Sequence, residues 1–182
     1  NDILKHDLFK KDRNPGQKLV IFSESKDTVE YLQKRLNRKD VLVIDSGNRT
    51  KLFKTIQENF DANYKRSLRK DDYNIIITTD VLAEGVNLHR SNIIINYDTP
   101  WNSTKLMQRI GRVNRIGSEG KNIYNYVFYP SRQGNQIIKL NQIALSKIQT
   151  FHSTFGEDNQ IYSQEEIIDR NLEKLFTEGL QA

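Results

Sequence analysis

Four short runs of apolar residues, most of them β-branched, constrain this chain more than any other feature. They are K-L-V-I-F-S (18–23), V-L-V-I-D (41–45), N-I-I-I-T-T (74–79) and N-I-I-I-N-Y (92–97). Each is continuous rather than alternating, so each predicts a strand covered on both faces. Segments of helical spacing lie between them. Val29, Leu32 and Leu36 share a face over 27–37, and Leu52, Phe53, Ile56 and Phe60 share one over 50–60. A third helix is predicted over 103–115, capped by Asn102 and stopped near Gly117. A weaker run, 122–129, ends at Pro130 and predicts a last strand. Buried strands alternating with helices specify a parallel α/β sheet sandwiched by helices. In such sheets, ligands meet the loops at the carboxyl ends of the strands.

The chain has 182 residues, enough for one ordinary domain and an appendage. Its boundaries are read as a lead or linker over 1–16, the sheet domain over 17–130, and a helical extension over 131–182. The extension comprises an amphipathic stretch, 133–152, and a final helix over roughly 164–180. Opening on Asn1 rather than Met fits a piece of a longer polypeptide. The net charge of +5 favours a polyanionic partner, nucleic acid or nucleotide. Cysteine is absent, and His6, His89 and His152 lie far apart, so no metal site is expected. No apolar run approaches the roughly 18 residues of a membrane span, and no secretory signal opens the chain. A cytoplasmic protein without a membrane partner is expected. Lys65, Arg66, Arg69 and Lys70 crowd into K-R-S-L-R-K (65–70). That segment suits either a phosphate backbone or a solvated loop.

The common glycine fingerprints for phosphate are missing. No two glycines are two residues apart, so G-x-G-x-x-G cannot form; the one Gly-Lys pair, Gly120-Lys121, lacks a P-loop context, and no G-x-S-x-G occurs. Arginines stand out instead, in Q-R-I-G-R-V-N-R-I-G (108–117). On a helix, Arg109, Arg112 and Arg115 would span about 120° and address one side together. Gly111 between them costs about 1 kcal/mol relative to alanine in a helix interior. Close approach of the backbone to a neighbour explains such a residue. Guanidinium groups bind phosphate bidentately and stay charged. The same arginines also suit a basic, solvated helix face.

Two stretches upstream narrow this choice. T-T-D-V-L-A-E-G-V-N-L (78–88) follows a strand directly, and I-I-I-N-Y-D-T-P-W-N (93–102) leads into the arginine helix. T-T-D-V-L-A-E-G-V-N resembles motif V of superfamily-two helicases, Q-R-I-G-R-V-N-R-I-G resembles motif VI, and K-L-V-I-F-S-E-S (18–25) resembles motif IV. D-T-P-W-N and the closing R-I-G are most similar to the Snf-type branch of DNA-dependent ATPases, including RapA-like members. The resemblance runs over roughly residues 17–130.

It implies the second of two RecA-like lobes, with ATP and Mg2+ held mainly by a first lobe that carries the P-loop. It implies that Arg112 and Arg115 are arginine fingers reaching ATP across the cleft. Gln108 and Arg109 would support the cleft or couple it to motif V. Gly85 and Asn87 would face the nucleotide, although many relatives carry Asp where this chain has Asn87. Thr79, with Thr78 beside it, would touch the nucleic-acid backbone, as would Ser23, Ser46 and Gly47 at the ends of the first two strands. Asp98 is read as orienting the turn before the arginine helix, and Trp101 as packing. The implied partners are DNA, in its double-stranded form, and the N-terminal RecA-like lobe of the same polypeptide. An alternative of another class is a non-catalytic nucleic-acid-binding or docking module that kept the fold. Either way, the chain alone is expected to hydrolyse almost no ATP.

Overall fold

The computed structural model describes residues 10–98 and 103–128. Asn102, Trp101, the end of the last predicted strand at Tyr129 and the extension 131–182 lie outside the described residues. Each apolar run forms a strand of four residues. These are β1 (Leu19–Phe22), β2 (Val41–Ile44), β3 (Ile75–Thr78), β4 (Ile93–Asn96) and, from the weaker run, β5 (Tyr124–Val127). They make one parallel sheet in the order β2-β3-β1-β4-β5. Burial is complete where the sequence is most apolar: Leu19, Val20, Phe22, Ile75, Ile76, Ile77 and Ile94 are wholly inaccessible. Burying each such side chain contributes about 1.5–3 kcal/mol. The polar residues that flank each run leave the sheet and become its loops.

Among the described residues, three α-helices cover the sheet: α1 (Lys26–Leu36), α2 (Arg49–Phe60) and α3 (Ser103–Val113). Ser25 starts α1 by accepting the Thr28 N–H, and Asn37 ends it in a left-handed conformation at φ 45°. Val29 and Leu32 of α1 pack on Leu19, Ile21, Ile75, Ile77, Ile93 and Ile95 in one apolar cluster. Phe22 and Asn96 meet α3 instead, through Arg109. Among the described residues, no helix is long and apolar enough to cross a membrane.

Residues 10–16, read from sequence as part of a lead, are anchored at the amino ends of the strands. Asn14 is fully buried and exchanges two hydrogen bonds of 3.1 Å with the Lys18 backbone. Asn92 Nδ2 reaches Arg13 O at 2.6 Å, just before β4. The chain leaves β1 toward β2 on one side and β4 toward β5 on the other. The strand order therefore reverses between β1 and β4, and the loops at their carboxyl ends flank that point.

Candidate functional site

Parallel register sets Ile44, Thr78, Phe22 and Asn96 side by side at the carboxyl ends of their strands. The residues that follow emerge along one rim. After β2, Ser46 and Gly47 are exposed on a turn fixed by Asp45, whose Oδ1 accepts the N–H groups of Gly47 at 2.7 Å and Asn48 at 3.0 Å. After β3, Thr79 is half-buried. Two other residues singled out in the sequence are closed off. Ser23 is fully buried and its Oγ donates to Asp98 Oδ2 at 2.6 Å; Thr78 is fully buried and its Oγ1 donates to Thr79 O at 3.0 Å. A hydroxyl without water must find such a partner. Asp98 also accepts the Glu24 N–H on both oxygens at 2.9 Å, so it shapes the loop between β1 and α1 as well.

The loop after β3 turns sharply at Gly85, where φ is +73°. A Cβ there would lie 2.5 Å from the Arg49 guanidinium. Arg49, in the first turn of α2, donates to Glu84 O at 2.9 Å, and Gln108 Nε2 donates to Glu84 Oε1 at 3.1 Å. Glu84 thus joins the helix that follows Ser46-Gly47 to the helix that carries the arginines. Neither Arg49 nor Glu84 was singled out from sequence. Arg49's only local signal is its place on the first turn after an exposed Ser-Gly.

The three arginines part company. Arg109 is fully buried; its Nε and a terminal nitrogen meet Asp80 Oδ1 at 2.8 and 2.6 Å, and its other terminal nitrogen donates to Asn96 at 3.0 Å. Its guanidinium lies 5.1 Å above the Phe22 ring. It locks α3 to the loop after β3 and to β4. Lys105 adds a second cation to Asp80 at 3.0 Å. Burial alone pushes the Asp80 carboxyl up, but Lys105 and Arg109 outweigh it and hold the group below the ordinary aspartate range.

Helix α3 ends at Val113, so Arg115 lies past its last regular turn. The predicted arc of three arginines therefore reduces to Arg112 and Arg115. Arg115 is exposed, and its Nε folds back onto Gly111 O at 3.2 Å. Arg112 is half-buried, and its buried Nε has no hydrogen-bond partner among the described residues. Burial, then the charge of Arg115, disfavours its charged form, while Glu84 supports it. Leu88 N donates to Arg112 O at 2.9 Å, which sets residue 87 beside the end of α3. Asn87 is not free: its Nδ2 donates to Asp61 Oδ2 at 3.1 Å.

The basic segment lies apart from the rim. Asp71 meets Lys18 at 2.9 Å and Arg90 at 2.7 Å, which ties its end to the amino ends of β1 and β4. Arg69 donates to Tyr64 O at 3.0 Å, to Ala62 O, and to Glu119 at 3.2 Å. Lys70 pairs with Glu58 at 2.9 Å. Lys65 and Arg66 are exposed.

These placements can be set beside known proteins. The family model described as the helicase conserved C-terminal domain matches residues 1–117. An uncharacterized ATP-dependent helicase of Bacillus subtilis (strain 168), YqhH, is 32% identical over 159 residues, covering 87% of this chain and 26% of that protein. The ATP-dependent RNA helicase eIF4A of Candida glabrata is 28% identical over 139 residues, covering 76% of this chain and 31% of that protein. The crystal structure of the C-terminal part of the Fun30 ATPase domain shares the fold, with a TM-score of 0.56 at 22% identity over 79% of this chain and 42% of that one. The chain thus spans between a quarter and a third of the length of the two curated relatives.

Proposed function

The chain belongs to the helicase conserved C-terminal domain family, and on that premise we propose that it is the second motor lobe of an ATP-dependent DNA helicase or translocase. The lobe is taken as residues 17–130, followed by a helical extension. The observation that carries this reading is the state of Arg112. Its guanidinium is half-buried, keeps a buried Nε without a partner among the described residues, and sits on a helix that Arg109 anchors. A buried, unsatisfied donor is costly unless a ligand completes it. Phosphate oxygens suit it, and Arg115 supplies a second guanidinium within electrostatic range. In this reading Arg112 and Arg115 reach the phosphates of ATP–Mg2+ held by a preceding lobe. They neutralise charge as the terminal phosphoryl leaves.

Coupling would run through two connections. Arg109 links α3 to Asp80, directly after Thr79. Gln108 and Arg49 meet on Glu84, beside Gly85 and near the Ser46-Gly47 turn. Thr79, Ser46 and Gly47 would hold nucleic-acid backbone along the rim, with Ser23 and Thr78 supporting the loops from beneath. Lys65 and Arg66 would add charge at the other end of the sheet. Placement in the Snf-type branch rests on D-T-P-W-N and R-I-G, and double-stranded DNA as the track follows from that placement. RNA is the second reading for the track, favoured by the similarity to the ATP-dependent RNA helicase eIF4A at 28% identity.

The test is ATP hydrolysis by the full-length protein containing this chain, with double-stranded DNA, with RNA, and with neither, beside Arg112→Ala. Stimulated turnover should fall by about 10³ or more in the variant while ATP still binds. Unchanged turnover would return Arg112 to a surface role. Stimulation by RNA alone would replace DNA as the track.

A further inference from the structure

Asn87 brings an uncharged amide to the end of α3, and the acid nearest to it comes from another element. Asp61 caps the carboxyl end of α2 and is 7% exposed. Its two oxygens are committed differently. Oδ1 accepts the Asn63 N–H at 2.8 Å, and Oδ2 accepts Asn87 Nδ2 at 3.1 Å. A carboxylate only accepts, so Asn87 must turn its nitrogen inward. Its Oδ1 has no hydrogen-bond partner among the described residues, and the Leu88–Arg112 bond holds residue 87 beside the end of α3.

We propose that Asp61 is a positioning residue for nucleotide recognition: it fixes the Asn87 amide so that Oδ1, a bare acceptor, is offered to a hydroxyl of the nucleotide's sugar. This rests on the reading above that residue 87 faces the nucleotide. Two residues then divide what a single acid could do alone. Asp61 holds the negative charge in the protein, and Asn87 presents the acceptor. An acid at 87 would not fit this site as it stands. Two carboxylates would face each other across 3.1 Å. His89, whose Nδ1 lies 3.7 Å from Asp61, does little to offset them, since burial outweighs Asp61 and favours its neutral form.

The substitutions break the pair in opposite ways and can be combined. In Asp61→Asn, the Asn63 N–H still requires an oxygen at Oδ1, so the new Nδ2 points at Asn87. Two donors then face each other, and the Asn87 amide flips to show nitrogen outward. In the double variant Asp61→Asn/Asn87→Asp, the amide now at position 61 donates to the carboxylate now at position 87. The second oxygen of that carboxylate again faces outward as an acceptor.

The experiment measures kcat and KM for ATP and for 3′-deoxy-ATP and 2′-deoxy-ATP with the full-length protein, its nucleic-acid stimulus saturating. Asp61→Asn should raise KM for ATP roughly tenfold, the scale of one lost hydrogen bond. The loss should fall on KM rather than kcat, and the preference for ATP over one of the deoxy analogues should shrink. Asn87→Asp should do the same, and the double variant should recover both KM and the sugar preference. If Asn87→Ala raises KM but Asp61→Asn does not, or the double variant fails to recover, the positioning role is overturned while the nucleotide-facing reading stands. If Asn87→Ala changes neither KM nor sugar preference, residue 87 does not face the nucleotide, and both readings fall. A thermal melt of each variant separates a KM effect from loss of the α2 cap.

Discussion

Gly111 lies on α3 between a buried guanidinium and a half-buried one. Its place in the sequence suggested a close neighbour. Yet a Cβ built there would meet nothing within 4 Å among the described residues. The neighbour, if the motor reading holds, belongs to the nucleotide or the opposing lobe and arrives only when the cleft closes. Stability and function then pull in opposite directions at this position. In the chain by itself, Gly111→Ala should stabilise α3 by about 0.5–1 kcal/mol, because alanine loses less backbone entropy and has room. In the full-length protein the same methyl should obstruct closure and lower nucleic-acid-stimulated ATP turnover at least tenfold, by analogy with losses from small misplacements at catalytic sites. Urea unfolding of the chain and steady-state turnover of the full-length variant measure the two effects. A stabilised variant with full turnover would show that nothing approaches Gly111 at all.

At the scale of elements, the segment from Asp61 to Asp72 shows why composition is a poor guide to free charge. Four basic residues in six suggest a patch, but Arg69 and Lys70 are held by Glu119 and Glu58. Arg90, 7% exposed, donates to the carbonyls of Asn59 at 3.0 Å and Lys70 at 2.8 Å and so pins the segment to the end of α2. The pairs should separate by assay. Lys65→Ala/Arg66→Ala should leave the urea midpoint unchanged and, if these residues meet phosphate, lower the slope of log affinity against log salt by about 1 to 2. Arg69→Ala should instead lower stability by about 1–3 kcal/mol through the carbonyls of Tyr64 and Ala62, with little change in that slope. The same contrast marks what was legible in the sequence. Local signals carried the strands, the three helices and the sheet class, since apolar continuity and helical spacing reside within each run. The amide-to-acid contact of Asn87 with Asp61, the burial of Ser23 and Thr78, and the separate fates of Arg109 and Arg115 are long-range. They depend on which loops the strand order brings together and on where α3 stops, and no spacing within a segment encodes either.

At the scale of the molecule, charge links the carboxyl-end loops to one another. Glu24 and Asp80 share Lys105 at 3.3 and 3.0 Å, and Asp80 also holds Arg109 beneath the rim. Arg109 has no exposed surface, so removing its partner leaves a buried cation answered, among the described residues, by the Asn96 side-chain oxygen and the Phe22 ring. Breaking such a pair costs about 3–5 kcal/mol when fully buried. The Asp80 side chain is 28% exposed, so Asp80→Asn belongs at the low end, about 3 kcal/mol at pH 7. The pH dependence follows from the direction of the Asp80 shift. Its carboxyl titrates lower in the folded chain than in the unfolded one, because Lys105 and Arg109 outweigh burial. The stability it contributes is therefore complete above the unfolded value near 3.9 and is lost as pH falls through the lower folded value. Asn at this position neither ionises nor gains that stability. Wild type and Asp80→Asn should differ most above the unfolded value, at about pH 5 to 7, and converge as pH falls through the folded value, below which the wild-type carboxyl is itself protonated. Urea midpoints taken in steps from about pH 7 down the acid limb, compared at equal m-value, test this. A gap that persists undiminished at the acid end would mean that Asp80 acts through shape alone, and the rim would not be held together by charge.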